Sequence, residues 1–240
     1  MKSRNLLSSL SRYLLFLIIV IALIIEGLWL ISMPEETVRK AIIGALGDRI
    51  GMEIAGLKKG LFYNLNAERV VLRNNDRDII FIEDVSVRIN PVYLFLLKHK
   101  SSFKGRVHNG FISGDLNISR NKMFMYMKVN GVDIRDIPYL KTLGIKGDGA
   151  LDADIMLEDN HGGIKFNLNN AKLETLTLSG IALPLEAFDR VKGMINVDSS
   201  LVNIESLSLE GDGVYGRIKG KIKDGLADLS FEIMPDASAI

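Results

Sequence analysis

The chain of 240 residues contains no cysteine, one tryptophan and three histidines. The lack of cysteine excludes a disulfide framework and any thiolate metal site, so burial and sheet hydrogen bonds must stabilise the fold. His99, His108 and His161 have no second histidine or carboxylate at ligand spacing, and we expect all three on the solvated surface. The chain also lacks a Gly-x-Ser-x-Gly elbow, a phosphate loop and a dinucleotide fingerprint. These absences predict a protein that is not an enzyme and that has no catalytic residue, cofactor or metal site.

An excess of one charge is lacking as well, because 30 basic and 29 acidic residues give a net charge of +1. Lys2, Arg4 and Arg12 all precede residue 13, so the remainder of the chain is close to neutral. A nucleic-acid partner requires a broad basic field on the protein surface. We therefore expect no nucleic-acid partner.

Long apolar runs are absent except for one, residues 14–31, in which Glu26 is the single charged residue. As a helix this run would measure about 27 Å, close to the roughly 30 Å hydrocarbon core of a bilayer. It predicts a transmembrane helix at 13–32 after a cytoplasmic segment at 1–12, because the basic residues lie on the N-terminal side. A cleaved signal peptide is the alternative, but no A-x-A-like cleavage site follows the run.

Glu26 and Trp29 are the two candidate contact residues within this segment. An ionisable side chain at membrane depth is a candidate functional group because its insertion is costly. One use of Glu26 is an ion pair with a basic residue on a partner's transmembrane helix. The alternative is that Glu26 reaches the headgroups or is protonated, since it lies within two turns of the outer boundary. Trp29 is expected to be an interfacial aromatic residue.

Residues 33–49 predict a membrane-proximal amphipathic helix. Ser32 and Glu35 have capping-box spacing, and apolar residues recur with helical period from Val38 to Leu46. Such a helix either lies on the headgroups or covers one end of the following domain. We prefer the second arrangement because the polar face of the helix is mixed in charge rather than basic.

From residue 50 to residue 240 the period of the apolar residues changes to two, which predicts one exported β-domain. About a dozen alternating segments are separated by Asn- and Gly-containing hairpin signals, a spacing typical of an antiparallel meander. Only 91–98, 134–143 and 185–191 are expected to add turns of helix. A Gly-Asp-Gly step occurs at 147–149 and again at 211–213, and we interpret both copies as bends or bulges of strands.

Met123, Met125 and Met127 alternate with Phe124 and Tyr126, which predicts a strand with methionines on one face and aromatic residues on the other. Methionine suits adaptable apolar contact surfaces, and it suits an ordinary core equally well. The three methionines are therefore candidate contacts for a membrane or a partner. A basic cluster that begins at Lys98 and Lys100 follows the apolar stretch 92–97. It predicts a solvated loop or, alternatively, a membrane-surface contact.

Several segments carry a family resemblance: Gly56–Tyr63, which opens a strand, Ile82–Leu94, and the later stretch from Lys192 to Gly220. With the N-terminal anchor, they make the chain resemble the type II secretion system protein N family and, more broadly, the AsmA-like envelope proteins. The resemblance covers nearly the whole chain but rests on loose motifs without catalytic residues. It implies an inner-membrane anchor and a curved antiparallel periplasmic sheet, an AsmA-like β-groove or half-barrel.

The expected function is therefore that of a non-enzymatic, inner-membrane-anchored periplasmic component of the type II secretion system. The resemblance implies that its partners are the platform proteins of that system in the inner membrane. The alternative is an AsmA-like groove that binds or transfers lipid, with phospholipid or other acyl chains as ligands. In both cases the N-terminus is cytoplasmic and the bulk of the chain is periplasmic in a bacterial cell.

Overall fold

The structure of the protein is a computed structural model. It describes residues 3–32, 34–45, 51–74, 77–95, 98–119, 122–178, 181–199, 201–224 and 226–235. The helices are α1 (Ser3–Ser32), α2 (Glu35–Ala45), α3 (Pro91–Phe95) and α4 (Pro138–Thr142), and Ile134–Asp136 and Leu185–Ala187 form short 3-10 helices. The strands are β1 (Gly51–Ala55), β2 (Lys58–Lys59), β3 (Asn64–Asn74), β4 (Arg77–Ile89), β5 (Lys98–Val107), β6 (Gly110–Ser119), β7 (Lys122–Asp133), β8 (Gly147–Glu158), β9 (His161–Leu173), β10 (Leu176–Leu178), β11 (Ile181–Leu183), β12 (Arg190–Asp198), β13 (Leu201–Gly211), β14 (Val214–Lys223) and β15 (Leu226–Pro235).

Thirteen of the described strands form one antiparallel sheet, as the alternation of apolar and polar residues predicts. The strands follow chain order from β1 to β15, except that β2 pairs beside β1 on β3 and that β9 pairs directly with β12. The intervening β10 and β11 form a separate two-stranded sheet. The predicted meander is thus confirmed. Because β1 and β15 are its two edges, the sheet is open and curled rather than a closed barrel.

One face of the sheet, here called the apolar face, carries the core. In its second half the register aligns Leu151, Leu168, Val191 and Leu209 on neighbouring strands, and the last three of these are buried. In its first half a buried cluster runs from Ile54 on β1 across to β8. Because side chains alternate along each strand, the polar residues lie on the opposite face, and only one face of this single-layered sheet is apolar.

Two helices cover part of the apolar face and show the direction in which the sheet curls. Helix α2 packs Val38, Ile42 and Ile43 against the first cluster, which confirms that it covers the domain end. Helix α4 lies between β7 and β8 in sequence and yet contacts β4, three strands away in the sheet. Its neighbour Ile137 joins the first cluster and Leu140 joins the second. The sheet therefore curls around α4 with its apolar face inside.

The two Gly-Asp-Gly steps have different structures. The first lies within β8, where the register against β9 shifts between Asp148 and Ala150, as predicted for a bulge. Gly147 has a φ of 132°, and a Cβ there would collide with the backbone carbonyl oxygen of Lys172. The second step ends in the turn between β13 and β14, with Gly213 at a φ of 70°. Treating the second step as a strand bend was wrong, because here the glycine permits a hairpin.

The helical predictions need one correction. Helix α1 includes the predicted segment 13–32 and extends back to Ser3, and α2 covers Glu35–Ala45 within the predicted 33–49; Met33 and 46–50 lie outside the described residues. The predicted capping box is wrong, because Ser32 is the last residue of α1 and Glu35 the first of α2. Among the residues that the structure describes, no helix is sufficiently long and apolar for a membrane crossing.

Candidate functional site at the helix–sheet junction

The C-terminal part of α1 and the first residue of α2 lie against residues 57–63, which connect β1 to β3 and include the short β2. We call this segment the junction loop and its contacts with the two helices the junction. Among the contacts that the described residues show, five hydrogen bonds hold it. The Glu26 Oε1 accepts a hydrogen bond from the Phe62 amide (2.5 Å), and the Trp29 Nε1 donates to the Gly60 carbonyl (3.1 Å). The Lys59 Nζ donates to the carbonyls of Trp29 (3.0 Å) and Leu30 (2.8 Å). The Glu35 Oε1 accepts from the Lys59 amide (3.2 Å). Backbone groups of the loop take part in three of them, at Lys59, Gly60 and Phe62, so the contacts fix the path of the loop and not only its side chains.

Trp29 is the centre of the junction. Its indole ring is stacked on the Tyr63 ring, with centroids 4.9 Å apart and planes at 27°. The Lys59 Nζ lies 5.6 Å from the indole centroid, within cation–π range. Only 9% of Trp29 is exposed, so the indole fills the space between helix and loop. The expectation that Trp29 is an interfacial aromatic residue stays a prediction, and the structure adds that its ring packs against the loop of the sheet domain.

The loop reaches the helix through an unusual backbone. Phe62 and Tyr63 have φ values of 56° and 57°, in the left-handed region that side chains with a Cβ rarely occupy. These two residues reverse the chain so that the Phe62 amide points at the Glu26 carboxylate. The turn is also closed internally, because the Gly60 amide donates to the Asn64 carbonyl over 2.7 Å. Contacts with the helix offset the cost of this conformation.

Electrostatics couple Tyr63 to the helix. Burial raises the pKa of the Tyr63 phenol, and the nearby negative charge of Glu26 raises it further. The neutral phenol is therefore the form that the junction favours. The Tyr63 carbonyl accepts a hydrogen bond from the Ile89 amide over 3.1 Å, which connects the loop to the end of β4. The helix is thus bonded through this loop to the sheet itself.

Sequence reasoning placed Glu26 and Trp29 at the membrane boundary but missed that both bind the same loop. Their partners lie between 31 and 36 residues further along the chain, beyond the reach of helical or strand periodicity. The one available signal was the resemblance segment Gly56–Tyr63, which contains every loop residue of the junction. Pairing of Glu26 with a partner's transmembrane helix stays a prediction, although its carboxylate already has an acceptor role within the chain.

Met123, Met125 and Met127 lie together on a second surface, the apolar face of β7. Register places Met125 between Leu116 and Leu157, and this side of the strand continues to the fully buried Val132. Exposure rises along β7 from 0% at Val132 to 39% at Met123. The methionines therefore extend the core and also form its uncovered margin, and their contact with a membrane or a partner stays a prediction. The aromatic residues of β7 lie on the opposite face, as predicted.

The edge strand β15 continues this uncovered margin. Leu229, Phe231 and Ile233 are all exposed, and register places Phe231 beside Ile218 on the apolar face. An exposed apolar edge strand is a surface on which a ligand or another chain can bind. Along the described strands, apolar side chains thus remain accessible where neither α2 nor α4 covers the sheet.

The polar face shows carboxylates engaged in structural bonds. Asp154 Oδ1 accepts from the Tyr126 hydroxyl over 2.7 Å, which raises the pKa of that phenol. Asp152 Oδ1 accepts from the Gly131 amide over 2.9 Å. Asp154 is exposed and Asp152 is half-buried, and both line an open surface cleft of ≈ 350 Å³. Among the described residues, no group of three or more potential ligands is arranged to hold a metal ion.

The histidines differ from one another in their surroundings. His108 and His161 are exposed, and the His161 Nε2 lies 3.2 Å from the Asp198 Oδ1 across the β9–β12 pair. His99 is half-buried, because it is paired with Ile118 on the apolar side of β5. The expectation of a solvated surface was therefore wrong for His99.

Comparison with known proteins finds no match, since no family model, no curated protein and no solved structure aligns with the chain. Fold and site define a mainly-β protein in which a long N-terminal helix is bonded to an open, curled antiparallel sheet.

Proposed function

We propose that the chain is an inner-membrane-anchored, periplasmic and non-enzymatic component of type II secretion, accessory to the export of proteins. The anchor is proposed from the apolar run 14–31. The exposure of Leu23, Ile24, Leu28 and Ile31 on α1 supports it, because exposed apolar helix surface is stable in contact with acyl chains. Basic residues before the run support a cytoplasmic N-terminus.

The observation that carries the proposal is the junction. A membrane anchor on a flexible tether would only confine the sheet domain, whereas five hydrogen bonds and a stacked aromatic pair fix the sheet relative to the helix. A scaffold that docks on platform proteins in the same membrane needs such a fixed height and orientation. The resemblance to the type II secretion system protein N family supports this role because its segment Gly56–Tyr63 forms the loop side of the junction.

The test uses the full-length protein in native membranes. Deletion of the chain should reduce secretion of the cargo of that system, and the tagged wild-type protein should co-purify with the platform proteins. Glu26→Leu combined with Lys59→Ala should keep the protein in the membrane and reduce co-purification, because the junction is lost. Leu28→Ala, on an exposed position of the same helix, is the matched control. Normal secretion without the chain, together with no platform protein in the purified material, would overturn the proposal.

A second candidate function is an AsmA-like groove that holds acyl chains, and the uncovered apolar face favours it. Met123 and Phe124 give a matched pair for its test, because they are 39% and 37% exposed on opposite faces of β7. Native mass spectrometry of the full-length protein released from detergent should show bound phospholipid. Met123→Asp should lower the bound fraction and Phe124→Asp should not. Equal lipid loading in the two variants, or no lipid in the wild type, would exclude this function.

A further inference from the structure

The tip of the junction loop carries two large apolar side chains on the molecular surface. Leu61 is 58% exposed and Phe62 is 75% exposed, although the adjacent Tyr63 is packed on Trp29. Turn tips in water are normally made of small and polar residues. Exposure of Leu and Phe together at such a tip therefore indicates an apolar environment outside the protein.

Contacts with α1 determine how deep this tip lies. The loop bonds first to Leu30 through Lys59 and last to Glu26 through the Phe62 amide, so it runs along the helix toward the N-terminus of α1. Four helical residues correspond to about 6 Å. The apolar run ends at Ile31, about 7.5 Å beyond Glu26 on the same scale. The tip is thus held beside apolar helix surface, inside the end of the run.

We infer that Leu61 and Phe62 insert into the leaflet on the sheet side of the bilayer that holds the proposed anchor, residues 14–31, so that the junction loop is a second membrane contact. This inference rests on the proposed membrane anchor, because the anchor sets the depth of the tip. The occupant of the surface is phospholipid. A depth of several ångströms below the headgroups is the range in which interfacial apolar side chains bind.

Neighbouring residues fit a lipid surface in charge as well as in polarity. Phe62, Pro91 and Lys100 line one surface cleft of ≈ 480 Å³, so the β4–β5 connection lies at the same end of the sheet as the tip. Val92 on α3 is exposed there. Lys98 and Lys100 are exposed beside it. Basic side chains next to apolar tips match anionic headgroups above acyl chains.

Insertion of the tip also explains the presence of a charged residue, Glu26, within the apolar run. A carboxylate at this depth is costly without a hydrogen-bond partner, and the Phe62 amide supplies one in a place where water is scarce. The same bond holds the apolar tip at its depth. The helix and the tip then attach the sheet at two points, which restricts its rotation about the axis of α1.

The natural absence of cysteine permits a direct test with single-cysteine variants of the full-length protein. Phe62→Cys is labelled with an environment-sensitive fluorophore in vesicles of mixed zwitterionic and anionic phospholipid, and quenching by lipids with spin labels at defined acyl depth is measured. Leu28→Cys reports the anchor. Phe111→Cys is the matched control, because Phe111 is 60% exposed but lies away from the tip end of the sheet. It is five residues along β6 from Leu116, which is aligned across β5 with Ile89 at the tip end.

We expect blue-shifted emission and strong quenching by shallow spin labels at positions 28 and 62, and water-like emission without quenching at 111. Quenching at 28 with water-like emission at 62 would overturn the inference and leave the anchor intact. Water-like emission at 28 would overturn the anchor and, with it, the depth assigned to the tip. Equal quenching at 62 and 111 would also overturn the inference, because the sheet would then lie on the membrane without a specific tip.

Discussion

Removal of the Glu26 carboxylate should release the Phe62 amide. In Glu26→Ala this amide loses an acceptor at 2.5 Å, and the loop loses its contact nearest to the N-terminus of α1. A hydrogen bond to a charged group contributes about 1.5–3 kcal/mol. Since about 1.4 kcal/mol corresponds to a factor of ten, local opening at Phe62 should become about ten- to one-hundredfold more frequent. The global fold should be retained, because neither residue belongs to the sheet core.

Hydrogen exchange of the full-length protein in lipid nanodiscs measures this directly, on a peptide that covers residues 57–63. Glu26→Gln should accelerate exchange at Phe62 less, because its amide oxygen still accepts a hydrogen bond but carries no charge. The Gly60 amide serves as an internal control, since it donates to Asn64 within the loop. Unchanged exchange at Phe62 in Glu26→Ala, with the variant inserted and folded, would refute the junction bond.

Three further predictions concern the junction and the sheet. The pKa of Tyr63 is raised, so the stabilisation from its neutral phenol is complete below its ordinary pKa of about 10 and is lost as the pH rises through the higher folded-state value. The fluorescence of Trp29, the single tryptophan, should therefore change above pH 10. Tyr63→Phe should remove that transition. Val132→Ala should lower the free energy of unfolding by about 2 kcal/mol, because two buried methyl groups and their packing are lost. Met123→Ala should change the free energy of unfolding by less than about 0.5 kcal/mol. Equal denaturation midpoints for these two variants would contradict the exposure gradient along β7. Gly147→Ala should lower thermal stability measurably, since its Cβ would meet the backbone of β9, and a melting temperature equal to that of the wild type would show that the bulge is not constrained.

The strands could be predicted because their cause is local. Alternation from Leu151 to Leu157 and from Ile164 to Leu168 shows directly which side chains face the core, and each intervening turn carries Asn, Asp or Gly. A meander follows from such turns without any long-range information. Where a long-range constraint acts, as at β9, which pairs with β12 across 16 intervening residues, local pattern gives no indication of the partner strand.

The junction could not be predicted for the same reason. Helical periodicity describes which residues share a face of α1, but it does not say which later segment covers that face. Glu26 and Phe62 are 36 residues apart, and their bond requires two consecutive left-handed residues that neither residue type favours. Local propensity argues against this loop conformation, and tertiary contacts with Trp29 and Lys59 stabilise it.

The left-handed conformation of Phe62 and Tyr63 is disfavoured by local propensity, so its presence indicates that the position of this loop matters. If the sheet needed only confinement near the membrane, a polar linker after α1 would suffice and Glu26 could be any apolar residue. The chain instead places a carboxylate within its apolar run and a buried indole at the end of that run, and bonds both to one loop. If the apolar run lies in a bilayer as proposed, the cost of Glu26 there is offset only while the loop is docked. The orientation of the sheet is therefore coupled to α1, and under the proposed membrane anchor any partner of the apolar face would meet that face at a fixed height.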